Sequence, residues 1–334
     1  MPDPVAAPTV DVLTIGNALV DVLSSVEEGL VAECGLAKGT MTLIDAQRAL
    51  DLYAALPPGI EASGGCAANT AVGVVSLGGS AAFVGRVAAD QLGEVFAHDI
   101  KAAGVRFESD LAGGGQPTGR CLIAVTPDGE RTMNTFLGAA AELAPSDISE
   151  DLVGAAAVTY LEGYLWDEPE AKEAMRAAIA HAHGHGRRVA LSLSDPFCVD
   201  RHRAEFVTLV RQVDLVFCNE AEAMGLVEAD SLEDALPRLT DHCPVVVVTR
   251  GADGVTVVVH GARTDVAADT VDKVVDTTGA GDLFAAGYLR GVTAGADPEA
   301  CARLGALAAA EVIGHLGARP QARLADLAAG RSLL

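Results

Sequence analysis

Downstream of Ile148 the chain keeps one rhythm, a short apolar run followed by a longer amphipathic stretch. The runs are Ala156–Leu161, Val189–Leu193, Leu215–Cys218 and Val245–Thr249. Between them lie Pro169–His181, Asp200–Arg211 and Leu232–Leu239. The first set reads as strands buried on both faces, the second as helices. Repeated strand–helix units of this length imply a mainly parallel sheet covered on both sides. Val10–Ile15 is an earlier strand of the same kind. Ser63–Leu77 reads as a helix opened by two glycines, and Ala81–Val87 as a further apolar run. Between Val105 and Phe136 the pattern changes. After a break at Gly113–Gly115, Arg120–Val125 and Glu130–Phe136 read as two β-strands joined by Thr126-Pro127-Asp128-Gly129. Asp-Gly between β-prone runs marks a hairpin. With Val22–Leu43 it is expected to form a small antiparallel sheet over the strand ends. No internal repeat and no low-complexity segment is present.

The stretch with the clearest chemistry is Lys273–Leu289, KVVDTTGAGDLFAAGYL. Val274 and Val275 read as the end of a strand, and Leu283 onward as a helix. Gly279-Ala280-Gly281 lies between them. A glycine turn feeding a helix N-terminus leaves backbone N–H groups without partners, and the helix dipole favours an anion there. Both Gly279 and Gly281 are free to take positive φ. Asp282 then stands beside the place where an anion would bind. A carboxylate there is electrostatically poor unless it accepts a proton from an attacking hydroxyl, as phosphoryl transfer to an alcohol requires. The plainer alternative is an acid capping the helix.

Other polar residues follow strand ends, where open α/β sheets place ligands. Asn17 and Asp21 follow the first strand, either as turn formers or as acceptors of sugar hydroxyls. The glycine spacing of a dinucleotide fingerprint is absent here. Gly64, Gly65 and Asn69 open the second segment, either for close helix packing or for a ligand. Asn219 and Glu222, three apart at a helix start, face one ligand or simply suit the dipole. An amide and a carboxylate are suitable for Mg²⁺ held through water. Thr249, Gly251 and Gly254 form a turn, with or without a nucleotide on its backbone. Arg131 follows the hairpin turn, within reach of a transferring phosphate or merely exposed. The alanine-rich stretch Pro298–Leu316 is either core or the wall of an adenine site.

Composition narrows the classes. The 334 residues carry a formal net charge of −23, which disfavours nucleic acid and anionic membrane as partners. The seven cysteines are scattered with no Cys-x-x-Cys pair, as expected for reduced thiols in a cytoplasmic protein without a zinc site. His181, His183 and His185 read as a polar helix end. No apolar run is long enough to span a bilayer.

The run Asp276-Thr277-Thr278-Gly279-Ala280-Gly281-Asp282, with Phe284, Ala286 and Gly287, resembles the second signature of the ribokinase-like (phosphofructokinase-B type) carbohydrate and nucleoside kinases. Gly64-Gly65 followed by Asn69 resembles the first signature, and Asn219-x-x-Glu222 a third element. The resemblance extends from about Val10 to the C-terminus. Gly16–Asp21, Glu130–Gly138 and Ser192–Phe197 are similar to the adenosine kinase branch.

It implies a three-layer α/β sandwich over residues 10–334, with a β lid contributed by about 18–45 and 106–136 and a loose tail at 1–9. Asp282 would be the base, and the amides of Gly279, Ala280 and Gly281 the anion hole. Asn17, Asp21, Gly64, Gly65 and Asn69 would hold the ribose, with Arg131 near the phosphate. Asn219 and Glu222 would position Mg²⁺ and phosphates, and Thr249, Gly251 and Gly254 the nucleotide. Asp276 and Thr278 would lie near a monovalent cation (K⁺) site. The expected activity is transfer of the γ-phosphoryl of ATP to a primary hydroxyl of a ribose-containing substrate, adenosine first. The alternative is a sugar kinase of ribose, fructose or 2-keto-3-deoxygluconate type, and a more distant one is a non-catalytic nucleotide or sugar sensor. Either a monomer or a homodimer is expected. Cys66 stands where sugar kinases of the family often have Lys or Ser. Aromatic residues for a base pocket are few, Phe136 and Phe197 being the candidates.

Overall fold

The structure is a computed structural model that describes residues 7–107 and 115–333. The expected tail at 1–9 therefore lies mostly outside the described residues, as do Gly113 and Gly114 of the expected break. The chain opens with β1 (Val10–Ile15), β2 (Leu19–Ser25), α1 (Glu28–Glu33), β3 (Met41–Leu43), α2 (Ala46–Ala55), β4 (Ile60–Gly64) and α3 (Cys66–Ser76). It continues with β5 (Ala81–Val84), α4 (Gln91–Ala102), β6 (Arg106–Phe107) and the hairpin β7 (Gly119–Val125) and β8 (Arg131–Phe136). Then come α5 (Glu150–Ala155), β9 (Ala156–Glu162), α6 (Pro169–Gly184), β10 (Arg188–Ser192), α7 (Pro196–Val210), β11 (Leu215–Asn219), α8 (Glu220–Val227) and α9 (Leu232–Thr240). Last are β12 (Val245–Thr249), β13 (Val255–Val259), β14 (Ala262–Val266), α10 (Ala280–Thr293), α11 (Pro298–Val312) and α12 (Leu324–Gly330).

Among the described residues nine strands form the large sheet, in the order β14-β13-β12-β11-β10-β9-β1-β5-β6, parallel except at the β12–β13–β14 end. Neighbouring residues of each strand serve opposite cores. Leu13, Leu161, Val216 and Val246 face one, with Trp166 and Phe206. Val12, Tyr160, Phe217 and Val247 face the other, with Phe284 and Tyr288 of α10. This double burial is why these strands read as unbroken apolar runs.

The second sheet has the order β3-β8-β7-β2-β4. It differs from the expected spans in two ways. Ile60–Gly64 joins as an edge strand, pairing antiparallel with β2. Arg106–Phe107 instead extends the large sheet beside β5. The pairing is also mixed, because β2–β7 and β3–β8 are parallel.

Two further expectations are corrected. Val274 and Val275 are not strand; they are 52% and 38% exposed. The amides of Val275 and Asp276 bond instead to the carbonyl of Ile313. The helix expected from Asp200 starts at Pro196, capped by the Asp195 side chain, which accepts from Cys198 N. The three histidines do end α6, where His183 meets Asp214 and His185 meets Glu150.

Candidate active site

Strand register gathers the site. Ile15 pairs with Leu161, Glu162 with Ser192, Ser192 with Phe217 and Asn219 with Thr249. The C-terminal ends of β1, β9, β10, β11 and β12 thus form one ledge, and the N-terminus of α10 stands over it.

At that N-terminus Gly279 is the N-cap, with φ +79° and no side-chain cap. Its backbone needs glycine twice over. The φ is unfavourable for other residues, and an added Cβ would stand 2.8 Å from Ala318 Cα. Gly281 does not take positive φ; it lies in the first helical turn with open space where a Cβ would be. The Ala280 amide bonds to Thr277 O. Among the described residues the amides of Gly279, Gly281 and Asp282 have no partner. They form an open nest of donors at the positive end of a fourteen-residue helix.

Asp282 is the third residue of α10, and its Oδ2 accepts from Asn69 Nδ2 at 2.9 Å. A carboxylate only accepts, so Asn69 must turn its NH₂ toward it. That leaves Asn69 Oδ1 buried with no partner, an acceptor open to a hydroxyl. Thr70 Oγ1 donates to Asp282 O at 3.1 Å, fixing α10 against α3. Burial pushes the Asp282 carboxyl up to about 6, opposed by bonds from Asn69 and Cys66 and by the charge of Arg319. Near neutral pH it is ionised yet basic enough to take a proton. The Cys66 thiol is pushed well up by its burial and by Asp282, so it stays protonated.

Asp21 lies on β2, its carboxyl also raised to about 6 by burial, against the charges of Arg319 and Arg131. Gly64 is pressed onto it; a Cβ there would stand 2.4 Å from Asp21 Oδ2. Gly65 has φ +93°, and a Cβ would meet Asn17 O at 2.1 Å. Asn17 is 4% exposed, with its Nδ2 donating to Glu162 Oε1 at 3.0 Å. The other oxygen of Glu162 accepts from Ala67 N in the first turn of α3, at 2.9 Å. Glu162, whose carboxyl burial raises to about 7, thereby braces β1 against α3. Sequence reasoning missed it, although a lone acid closing the apolar run Ala156–Leu161 was a visible signal. It also missed Arg319, which donates to Ser63 O at 3.0 Å and Ser63 Oγ at 3.1 Å.

Arg131 of β8 reaches across from the second sheet, with Nη2 2.6 Å from Asp276 Oδ2. Asp276 also accepts from Thr278 N, Thr278 Oγ1 and Gly317 N. The two residues expected beside a monovalent cation thus hold each other, and a guanidinium already meets the carboxylate's charge.

The remaining candidates sit further along the ledge, joined to Asp282 by no hydrogen bond among the described residues. Asn219 N-caps α8 and Glu222 closes a capping box: Asn219 Oδ1 accepts from Glu222 N, and Glu222 Oε2 from Asn219 N. Glu222 is 4% exposed, and burial together with nearby Asp195 raises its carboxyl to about 7. Next to it Thr249 ends β12. Gly251 and Gly254, at φ +56° and +92°, turn the chain into β13. Phe136 is buried at 7% exposure, whereas Phe197 is 74% exposed at the start of α7.

The model of the pfkB family carbohydrate kinases matches residues 59–323. The chain belongs to this family. The kinase is 51% identical to an adenosine kinase from Sinorhizobium meliloti, over 96% of this chain and 99% of that one, with a TM-score of 0.90. It is 49% identical to a probable sugar kinase from Rhizobium etli CFN 42, over 98% and 100%, with a TM-score of 0.92. Among curated proteins it is similar to adenosine kinase of Saccharomyces cerevisiae, 28% identical over 92% of this chain and 96% of that one. The kinase is a phosphotransferase with an alcohol acceptor. Among its described residues no helix is long and apolar enough to cross a membrane.

Proposed function

We propose that the protein is an ATP- and Mg²⁺-dependent adenosine kinase, phosphorylating the primary hydroxyl of the ribose. The observation that carries this is the pairing at the start of α10: partnerless amides beside a carboxylate whose orientation Asn69 fixes. In this reading Asp282 takes the proton of the hydroxyl as its oxygen bonds to the γ-phosphorus. The bond between that phosphorus and the β–γ bridging oxygen breaks, and ADP leaves. The amides of Gly279 and Gly281 meet the charge on the transferring group, with Ala280 shaping the loop. Asn69 Oδ1 and Asp21 accept from ribose hydroxyls, while Asn17, Gly64 and Gly65 bring α3 close.

The second sheet favours a nucleoside over a free sugar. Arg131 points toward the glycine loop, and alternation along β8 puts Met133 on the same face. Strand pairing adds Met41 beside Met133, and Leu23 and Ile60 further across. Ile60 is 72% exposed and Met41 42%. An apolar face beside Asp21 suits a flat base better than another hydroxyl-rich ring, and acting as a lid it would exclude water. Adenosine kinases among the similar proteins support the same substrate.

Thr249, Gly251 and Gly254 belong to the nucleotide side. Glu222 and Asn219 are suitable for a hydrated Mg²⁺: burial and Asp195 raise the Glu222 carboxyl to about 7, and a cation beside it would offset both. The ion would keep several waters and neutralise phosphate oxygens. A monovalent cation beside Asp276 and Thr278 would share the Asp276 carboxylate with Arg131. The test is a panel of adenosine, ribose, fructose and 2-keto-3-deoxygluconate with Mg–ATP. Turnover of adenosine alone is expected; a free sugar turned over faster would replace this reading with a sugar kinase.

A further inference from the structure

We infer that the cavity at the N-terminal ends of the central strands is a second ligand site, one that takes a small carboxylate with an apolar body. It lies at the opposite ends of these strands from Asp282, and the phosphoryl transfer does not use it.

Strand register builds the floor. Val158 pairs with Arg188, Leu215 with Val245 and Val245 with Val259, so apolar side chains from four strands line up at one level. Helix α10 covers this face of the sheet higher up, through Phe284 and Tyr288. Lower down, Leu289, Val292 and the turn into α11 bound a space of about 410 Å³. The turn contributes Gly295 and Ala296, whose side chains are too small to fill it.

Two donors without partners meet there. Tyr288 is 2% exposed, with its ring edge-on to Phe217 at 5.6 Å and stacked on Phe284 at 6.4 Å. Among the described residues no hydrogen bond reaches its hydroxyl, and burial keeps that hydroxyl protonated by pushing it well up. A buried phenol held in place and left unpaired at a cavity wall calls for an acceptor from outside the chain. Arg188 stands at the mouth. Its neighbour Arg187 donates to Gly154 O at 2.8 Å, whereas no hydrogen bond or ion pair holds Arg188 among the described residues. A guanidinium left unpaired is unexpected in a chain where Asp and Glu outnumber Lys and Arg by 46 to 23.

The other ionisable groups of the rim are His260 and Asp214. Asp214 Oδ2 accepts from Val189 N at 2.8 Å and meets His183 Nε2 at 3.2 Å. Its charge still opposes an anion, so one negative charge suits the mouth better than the two of a phosphate monoester. The planar fork of Arg188 matches a carboxylate, and the valine and leucine walls match an apolar body.

The test is calorimetric titration of the full chain with phenylacetate and with its neutral analogue 2-phenylethanol, in the presence of adenosine and ADP. Phenylacetate is expected to bind with a Kd of about 1 mM, as suits so small a ligand, and the alcohol about tenfold more weakly. Arg188→Gln changes an exposed side chain at the start of β10, so kinase turnover should be kept. In that variant phenylacetate should fall to the affinity of the alcohol. Val292→Trp fills the space and should abolish binding of both; if it does not fold, Arg188→Gln decides alone. No saturable binding of phenylacetate, equal binding of acid and alcohol to the wild type, or an unchanged preference in Arg188→Gln would each overturn the inference. So would displacement of phenylacetate by adenosine and ADP, which would place it at the ledge with Asp282.

Discussion

Glu222 and Asp282 occupy the same place in two helices. Each is the third residue, α8 following Asn219 and α10 following Gly279. Both carboxyls are raised by burial, to about 7 and about 6. Their fates differ because of the residue three before them. Asn219 has a side chain that accepts from the Glu222 amide, and Glu222 returns to the Asn219 amide, so the start of α8 closes on itself. Gly279 has no side chain to offer. The amides of Gly279, Gly281 and Asp282 stay open, and Asp282, with no cap to answer, is held from another helix by Asn69. Leaving out a side-chain cap costs helix stability, only a few tenths of a kcal/mol (on the order of 0.3) where glycine takes the position. What it leaves is an anion nest with a base at its rim.

The largest expected effect comes from the open helix. Asp282→Asn can keep the bond from Asn69 while losing charge and basicity. We expect kcat to fall by roughly 10³-fold, in the range for a positioned general base, with the affinity for adenosine changed only a few-fold by calorimetry. Loss of binding in step with loss of rate would instead make residue 282 a substrate anchor.

A smaller effect is expected from closing the nest sterically. Gly279→Ala puts a Cβ 2.8 Å from Ala318 Cα in a residue at φ +79°. The left-handed backbone alone costs about 1–2 kcal/mol. The contact is with backbone and cannot be relieved by a rotamer change. We expect thermal unfolding to move down by at least that amount and kcat to fall about 100-fold, the typical loss of one oxyanion donor. An equal loss of stability with unchanged kcat would mean that the nest holds no charge in the reaction.

The two helix starts also show what sequence reasoning could reach. The strands of the large sheet were readable because parallel strands buried on both faces leave unbroken apolar runs. Gly279–Asp282 was readable because glycines before a helix have few other uses. The residues that brace the site were not, since Glu162, which holds Asn17 and Ala67, and Arg319, which holds Ser63, arrive from distant parts of the chain, and no local pattern joins them. Val274–Val275 misled for a related reason. Two valines fit a strand, but only the fold decides whether a neighbouring strand is there. The expected role of Glu222 was ambiguous from the outset, because a capping acid and a metal-facing acid have one spacing.

Glu222→Gln separates those two roles and should give the smallest change in the protein. Gln serves at the third position of a capping box as Glu does, so α8 should keep its N-terminus. Stability is expected to change by less than about 1 kcal/mol in thermal or denaturant unfolding. The carboxylate charge is lost, however, and a hydrated Mg²⁺ prefers it to an amide. The apparent KM for Mg–ATP should then rise about tenfold (roughly 1.4 kcal/mol of binding), with KM for adenosine unchanged. The difference between the two substrates is the informative quantity, because a general loosening of the ledge would raise both. Unchanged KM for Mg–ATP would leave Glu222 a helix cap and nothing more. The contrast between the two helices would then be sharper still, with α8 wholly structural and all of the chemistry lying where the cap is missing.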